Sequence, residues 1–164
     1  MGRARTVGQK ALLLVGSIGP LGHVPASGTV AVAVAGIPLA WLMRTHLSFW
    51  VYLLVTVAFT ALAVWVHDVG DHILGKKDSR KLVLDELAGF FVAVMIMPWT
   101  WQMVTLAFLI ERSIDIAKVP PADWIEKNLM GGVSVGGDDI VAGIYTMLIL
   151  LAIGHFLPTW VGVV

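Results

Sequence analysis

The chain has 164 residues, with eleven acidic and eleven basic side chains and a formal net charge of zero. Hydrophobic residues make up 58% of it and charged residues 13%, whereas a soluble domain is nearer half apolar and a quarter charged. The composition therefore predicts an integral membrane protein, with residues 1–164 forming a single membrane-embedded domain. The zero net charge argues against nucleic-acid binding, and the absence of cysteine excludes disulfides, thiolate metal sites and cysteine nucleophiles.

The N-terminal region is basic over residues 1–10 and apolar over residues 11–22, where glycine and proline interrupt the apolar run. This region lacks a clear signal-peptide cleavage pattern. We interpret residues 1–22 as a basic N-terminus followed by a retained, partly buried or re-entrant segment.

Five further apolar segments predict membrane-spanning helices, and residues 48–66 are the clearest, with 19 uncharged residues and aromatic side chains near both ends. The predicted fold is an all-α membrane protein in which about five transmembrane or re-entrant helices form one bundle. Residues 67–81 are predicted to be a polar loop, and residues 119–137 a loop with a short surface helix at 122–128. The five predicted helices cover residues 29–43, 48–66, 82–98, 102–117 and 140–156.

The distribution of lysine and arginine predicts the orientation of the bundle. With the N-terminus in the cytoplasm, five spans leave only Arg44 outside, whereas the opposite orientation would put nearly every basic residue outside. The favoured orientation also brings all eleven acidic residues to the cytoplasmic side. Charged residues from four predicted helices then meet at one depth, which predicts an active site at the cytoplasmic helix ends.

Residues 131–143, GGVSVGGDDIVAG, are predicted to form a glycine-rich loop that brings Asp138 and Asp139 to the start of an apolar helix. Unpaired charge beside such a helix is expensive and marks a functional site. One acidic residue there is usually explained by helix capping. Two adjacent ones exceed what capping requires, so we favour a functional interpretation.

The acidic residues at the predicted helix ends are a set of hard oxygen donors, which suits Mg²⁺ or Mn²⁺ better than zinc. Ions held in this way neutralise phosphate oxygens. The alternative is a set of salt bridges and caps, such as a pair between Arg112 and Asp115 on one helical face. We favour a metal site, because the acidic residues outnumber the nearby cations. The predicted cluster consists of Asp85, Glu86, Asp115, Asp138 and Asp139.

Arg112 and Lys118 are the cations that an anionic substrate such as phosphate requires, although each alone is also typical of a helix end. Gly28 and Thr29 begin a helix and offer N–H groups and a hydroxyl to an anion, with a simple N-cap as the alternative. No role is predicted for four histidines in the predicted loop or near the membrane surface: His23, His67, His72 and His155.

Four stretches of this sequence resemble the signature motifs of the phosphatidylglycerophosphatase A family. Residues 84–89 (LDELAG), 112–118 (RSIDIAK) and 131–143 resemble its three acidic motifs. Residues 24–29 (VPASGT) resemble its N-terminal element. The matches follow one another in order over residues 24–158, and their combination is specific although each is short.

The resemblance implies Mg²⁺-dependent hydrolysis of the terminal phosphomonoester of phosphatidylglycerophosphate to phosphatidylglycerol and phosphate, in the bacterial inner membrane. Asp115 would be a further metal ligand or the general base, Arg112 and Lys118 would hold phosphate oxygens, and an aspartyl-phosphate intermediate stays open. The metal ligands that the resemblance implies are Asp85, Glu86, Asp138 and Asp139.

Two other functions fit the same composition. A cation-coupled transporter would also carry carboxylates in its spans, but more often at the middle of the bilayer than at helix ends. Another metal-dependent lipid phosphotransfer enzyme would also cluster aspartates, but the aspartate motif of the CDP-alcohol phosphatidyltransferases is absent from the sequence.

Overall fold

The computed structural model describes residues 5–77 and 79–159, so that residues 1–4, with Arg3 of the basic N-terminus, and residues 78 and 160–164 lie outside the described part. The described residues form helices and no strands, which confirms the predicted all-α class. A 3₁₀ turn at Leu21–His23 joins the first two helices. The seven helices are α1 (Val7–Gly16), α2 (Ser27–His46), α3 (Phe49–Leu74), α4 (Leu84–Ala93), α5 (Trp101–Ala117), α6 (Ala122–Asn128) and α7 (Gly132–Phe156).

Three of these helices are long and apolar enough to cross a membrane: α2, α3 and α7, with 20, 26 and 25 residues. At 1.5 Å per residue, 20 helical residues cover about 30 Å, which is the thickness of the hydrocarbon core. Large apolar side chains point away from the bundle, such as Trp50 and Leu54, which are 74% and 68% exposed. An outward apolar surface of this kind is typical of helices that face lipid.

Helix α3 continues to Leu74, so the prediction of a polar loop beginning at residue 67 is wrong. The polar residues of this part alternate with residues that pack inward, and His67 and Gly70 are buried. The helix ends at Gly75, whose positive φ of 66° provides a left-handed C-cap. The amphipathic final turns therefore place His67 inside the bundle.

Helix α4 has only ten residues, about 15 Å, instead of the 17 predicted for the third span. After it, the carbonyl groups of Met95 and Met97 accept hydrogen bonds of 2.8 and 3.1 Å from the guanidinium of Arg44 on α2. Pro98 also disfavours helical conformation in the residue before it. Because Leu87, Phe90 and Phe91 of α4 are almost fully buried, this short helix is a core element that the longer helices surround.

Helix α7 begins at Gly132, so the predicted glycine-rich loop is instead two turns of helix, and Asp138 and Asp139 lie inside it. Asp68 of α3 caps the start of α7, because its Oδ1 accepts a hydrogen bond of 2.5 Å from the Gly132 N–H. A Cβ at Gly132 would collide with the carbonyl oxygen of Val64. Glycine at position 132 therefore allows close packing of α7 against α3. The predicted surface helix at residues 122–128 is confirmed as α6.

Helices α4 and α7 cross in close contact through two glycines. A Cβ at Gly89 would lie 2.6 Å from the carbonyl oxygen of Asp139, and a Cβ at Gly143 would collide with the carbonyl oxygen of Gly89. Small residues allow helix backbones in membranes to approach in this way. The crossing fixes Asp139 against the helix that begins with Asp85 and Glu86.

We expect Gly143→Ala to destabilise the bundle by about 1–3 kcal/mol, because the added methyl group must push α4 and α7 apart. Gly154→Ala is the control on the same helix, since its Cβ would meet the Met103 side chain at an ordinary 3.8 Å. Thermal unfolding in detergent compares the two variants with the wild type. Equal melting temperatures for all three proteins would contradict the close crossing.

Candidate active site

A cavity of about 780 Å³ lies where α2 and α4 begin, where α5 ends and beside the second turn of α7. The residues that the sequence proposes for the site come from all four helices and all line this cavity. The structure therefore brings these residues together at one cavity, while their roles stay predictions. They are Gly28, Thr29, Asp85, Glu86, Arg112, Asp115, Lys118, Asp138 and Asp139.

Arg112 is the centre of the charged groups in this cavity and is 6% exposed. Its guanidinium lies against Glu86 and Glu111, 3.2 Å from a carboxylate oxygen of Asp115 and 3.7 Å from one of Asp139. The spacing of three residues between Arg112 and Asp115 suggests a contact between them, and this contact is one of four that the guanidinium makes with carboxylates. One guanidinium faces four carboxyl groups, so the acidic groups outnumber the cation that can pair with them.

Glu111 is fully buried and was not proposed as a site residue from the sequence. Both of its carboxylate oxygens accept hydrogen bonds from the guanidinium of Arg112, one of them from Nε at 2.6 Å. A forked pair of this type fixes the plane of a guanidinium. The only sequence signal was an acidic residue next to an arginine within an apolar helix.

Glu86, Asp115 and Asp139 form the tightest acidic group in the described part of the chain. One carboxylate oxygen from each lies within 4.8 Å of the other two. Oδ1 of Asp139 is buried and makes no hydrogen bond to a described residue, which is costly unless another group compensates it. Three hard oxygen donors grouped in this way fit a divalent cation such as Mg²⁺.

Asp85 and Asp138 line the same cavity but have partners of their own. Asp85 lies 3.0 Å from Nε2 of His67, and Asp138 accepts a hydrogen bond of 2.8 Å from Lys118. The structure thus places two of the four predicted metal ligands, Glu86 and Asp139, in the compact group, and the other two at its edge. The assignment of all four residues as metal ligands stays a prediction.

His67 contacts an aspartate of the cavity, although no partner was evident from the sequence. The ring is 1% exposed and its Nε2 faces Oδ1 of Asp85. The sequence interpretation was wrong because it ended the helix at residue 66 and left His67 in a loop. The imidazole thus lies against Asp85, which lines the cavity.

Lys118 is the second cation of the cavity and forms the left-handed C-cap of α5, with φ of 49°. Its ammonium group lies 2.8 Å from Asp138 and 3.0 Å from Glu126 of α6. Burial alone would lower the pKa of Lys118, but its hydrogen bonds and charge interactions with Asp138 and Glu126 outweigh burial and raise this pKa. Lys118 is therefore positively charged at neutral pH.

The start of α2 brings backbone N–H groups to the same cavity. Gly28 lies against Glu86, and a Cβ at this position would collide with the carboxylate. The hydroxyl of Ser27 donates a hydrogen bond of 2.5 Å to the carbonyl oxygen of Arg80, which fixes the helix start. Free N–H groups at a helix N-terminus are a common binding site for anions such as phosphate.

A family model described as Phosphatidylglycerophosphatase A matches residues 14–154 of this chain. Together with the apolar bundle and its acidic cavity, the match defines the class of protein as a membrane phosphatase. The chain belongs to the phosphatidylglycerophosphatase A family. The resemblance inferred from its motifs, and the expectation of an enzyme, are thereby confirmed.

Three relatives illustrate the similarity. Phosphatidylglycerophosphatase A of Escherichia coli (strain K12) is 34% identical over 127 residues, which are 77% of this chain and 73% of the relative. The Haemophilus influenzae protein of the same name is 29% identical over 147 residues, 89% of each chain. A Bacteroides thetaiotaomicron protein, named provisionally as a phosphatidylinositol-3-phosphatase, is 29% identical over 128 residues, 76% of this chain and 79% of the relative. No solved structure matches.

We expect Arg112→Met to destabilise the protein by about 3–5 kcal/mol, because it leaves Glu111 as a buried charge without its partner. Adding Glu111→Gln removes that charge and should restore part of the stability without restoring activity. Unfolding of the two single variants and the double variant in detergent measures the coupling. Additive losses of stability would contradict a direct pair between the two side chains.

Proposed function

We propose that this protein hydrolyses the terminal phosphomonoester of phosphatidylglycerophosphate and releases phosphatidylglycerol and phosphate. The observation that carries the proposal is the group of Glu86, Asp115 and Asp139 beside two cations, Arg112 and Lys118. Oxygen ligands next to cations fit a phosphate ester and its metal. The names of the Escherichia coli and Haemophilus influenzae relatives support the choice of lipid.

We assign Mg²⁺ as the cofactor and Glu86, Asp115 and Asp139 as the residues that hold it, with Asp85 and Asp138 as the carboxylates at the edge. When bound, Mg²⁺ supplies positive charge for phosphate oxygens and lowers the pKa of water. Oδ1 of Asp139, which is buried and makes no hydrogen bond to a described residue, supports this assignment. The surplus of carboxylates around one guanidinium supports it as well.

Arg112 and Lys118 bind the substrate phosphate in this proposal. Glu111 accepts hydrogen bonds from Nε and Nη2 of Arg112, whereas Nη1 of Arg112 is directed at Glu86 and Asp115 in the cavity. The Lys118 side chain is 34% exposed, so a phosphate oxygen has access to its ammonium group. The N–H groups at the start of α2, with Gly28 and Thr29, contribute further hydrogen bonds.

Hydrolysis forms a bond from the water oxygen to phosphorus and breaks the bond from phosphorus to the glycerol oxygen, which then takes up a proton. A carboxylate within reach of the attacking water must accept the water proton. We assign this role to Asp115 in addition to metal binding, because a carboxylate that gives one oxygen to the ion keeps a second oxygen for the proton. The Asp115 side chain is 18% exposed and lies 3.2 Å from the guanidinium that holds the phosphate. The glycerol oxygen leaves with the lipid product.

The proposed location is the bacterial inner membrane with the site facing the cytoplasm, where the reaction serves phospholipid biosynthesis. The positive-inside rule supports this orientation, since nearly all lysines and arginines belong to the side of the site. Membership of a phosphatase family disfavours the alternative of a cation-coupled transporter.

The test is release of phosphate from phosphatidylglycerophosphate by the purified protein in detergent. We expect turnover with Mg²⁺, its loss with a chelator, and a reduction of at least about 100-fold in Asp139→Asn, since this residue belongs to the proposed metal group. Asp123→Asn is the control, because Asp123 pairs with Lys127 on the surface of α6. Turnover without any divalent cation, or full activity in Asp139→Asn, would contradict the proposal.

A further inference from the structure

A second cavity, of about 220 Å³, lies beside the catalytic cavity, between α1, the end of α3 and the segment that leads into α4. The two cavities share His23, Lys81 and Leu82 as lining residues. We call this second cavity the basic groove. The residues that define it here are Arg5, Lys10, His23 and Lys81, with Leu13 and Leu74 beside them.

The cations of the basic groove are available to bind an anion. No acidic residue lines the groove in the described part of the chain, and the sequence has no Asp or Glu before Asp68. Arg5, Lys10 and Lys81 are exposed, and none of them forms an ion pair with another described residue. The positive charges of these three side chains are therefore not paired with an acidic side chain in the described part of the chain.

Apolar side chains surround the basic groove, some of them exposed. Helix α1 packs Leu12 and Leu13 against α3 and leaves Val7 and Leu14 exposed, at 85% and 62%. A helix with an exposed apolar surface and flanking basic residues is typical of the membrane interface. The groove thus places cations next to leucines, as the charged and apolar parts of a phospholipid require.

We propose that the basic groove binds the phosphodiester of the lipid substrate while the terminal phosphate occupies the catalytic cavity. This inference rests on the proposed function. Phosphatidylglycerophosphate carries two phosphates separated by the three carbons of a glycerol. The adjoining cavities offer a separate set of cations to each phosphate, with Lys81 and His23 at their junction. The groove therefore makes the enzyme selective for a lipid with a phosphodiester.

The direct test uses short-chain phosphatidylglycerol in a neutral detergent, because this lipid has the phosphodiester and lacks the phosphomonoester. The test variant is Arg5→Ala with Lys10→Ala. Its control is Lys76→Ala with Lys77→Ala, which removes the same charge from exposed residues that line a different cavity. We expect binding about tenfold weaker in the test variant and within about twofold of wild type in the control.

The kinetic test uses the same variants. We expect the KM for phosphatidylglycerophosphate to rise about tenfold in the test variant with kcat nearly unchanged, since the groove holds ground state and transition state equally. Inhibition by inorganic phosphate, which binds in the catalytic cavity, should stay at the wild-type level. An equal loss of lipid binding in both double variants would overturn the groove, because it would reflect overall charge.

The two proposals fail separately. Unchanged phosphatidylglycerol binding and an unchanged KM in the test variant would overturn the groove and leave the hydrolysis intact. A wild-type protein that binds phosphatidylglycerol through Arg5 and Lys10 but releases no phosphate would overturn the proposed function alone. The binding measurement requires no turnover, so it reports on the groove in either case.

Discussion

The contact of one guanidinium with four carboxylates is the interaction on which the rest of the site depends. Arg112 joins Glu111 and Asp115 of its own helix to Glu86 of α4 and Asp139 of α7. Burying charges in a bundle is expensive unless they are paired, and here the pairing is incomplete. The surplus of carboxyl groups over cations is what makes the cavity suited to a divalent cation. The same contacts hold three helices in register at the depth of the site.

Close packing of backbone provides the second constraint. The approach of α4 and α7 through Gly89 and Gly143 keeps Asp139 against the start of α4. Helix α4 can be short because it is buried among longer helices and because Arg44 binds the carbonyl groups that follow it. Packing and charge therefore act on the same pair of helices.

The acidic residues proposed from the sequence line one cavity, as expected for charges that lie almost entirely at one end of the apolar segments. The sequence-based prediction fails where one residue type is used both in flexible loops and in close helix packing. The glycines of residues 131–137 indicate a flexible loop by composition, whereas Gly132 is required by the backbone of Val64. Glu111 and His67 were missed because hydropathy alone shows neither which helix face is buried nor where a helix ends. The roles of Asp85, Glu86, Asp138 and Asp139 as metal ligands stay predictions.

Mn²⁺ binding to the detergent-solubilised protein, followed by electron paramagnetic resonance, is the most direct test of a divalent-cation site formed by the carboxylates around Arg112. We expect saturable Mn²⁺ binding, with Mg²⁺ displacing the bound Mn²⁺. Glu86→Gln should weaken the Mn²⁺ affinity at least about tenfold, because it removes a ligand from the group. The matched change Glu126→Gln, outside the group, should leave the affinity nearly unchanged. Absence of saturable binding, or equal affinity in Glu86→Gln and wild type, would contradict the presence of such a site.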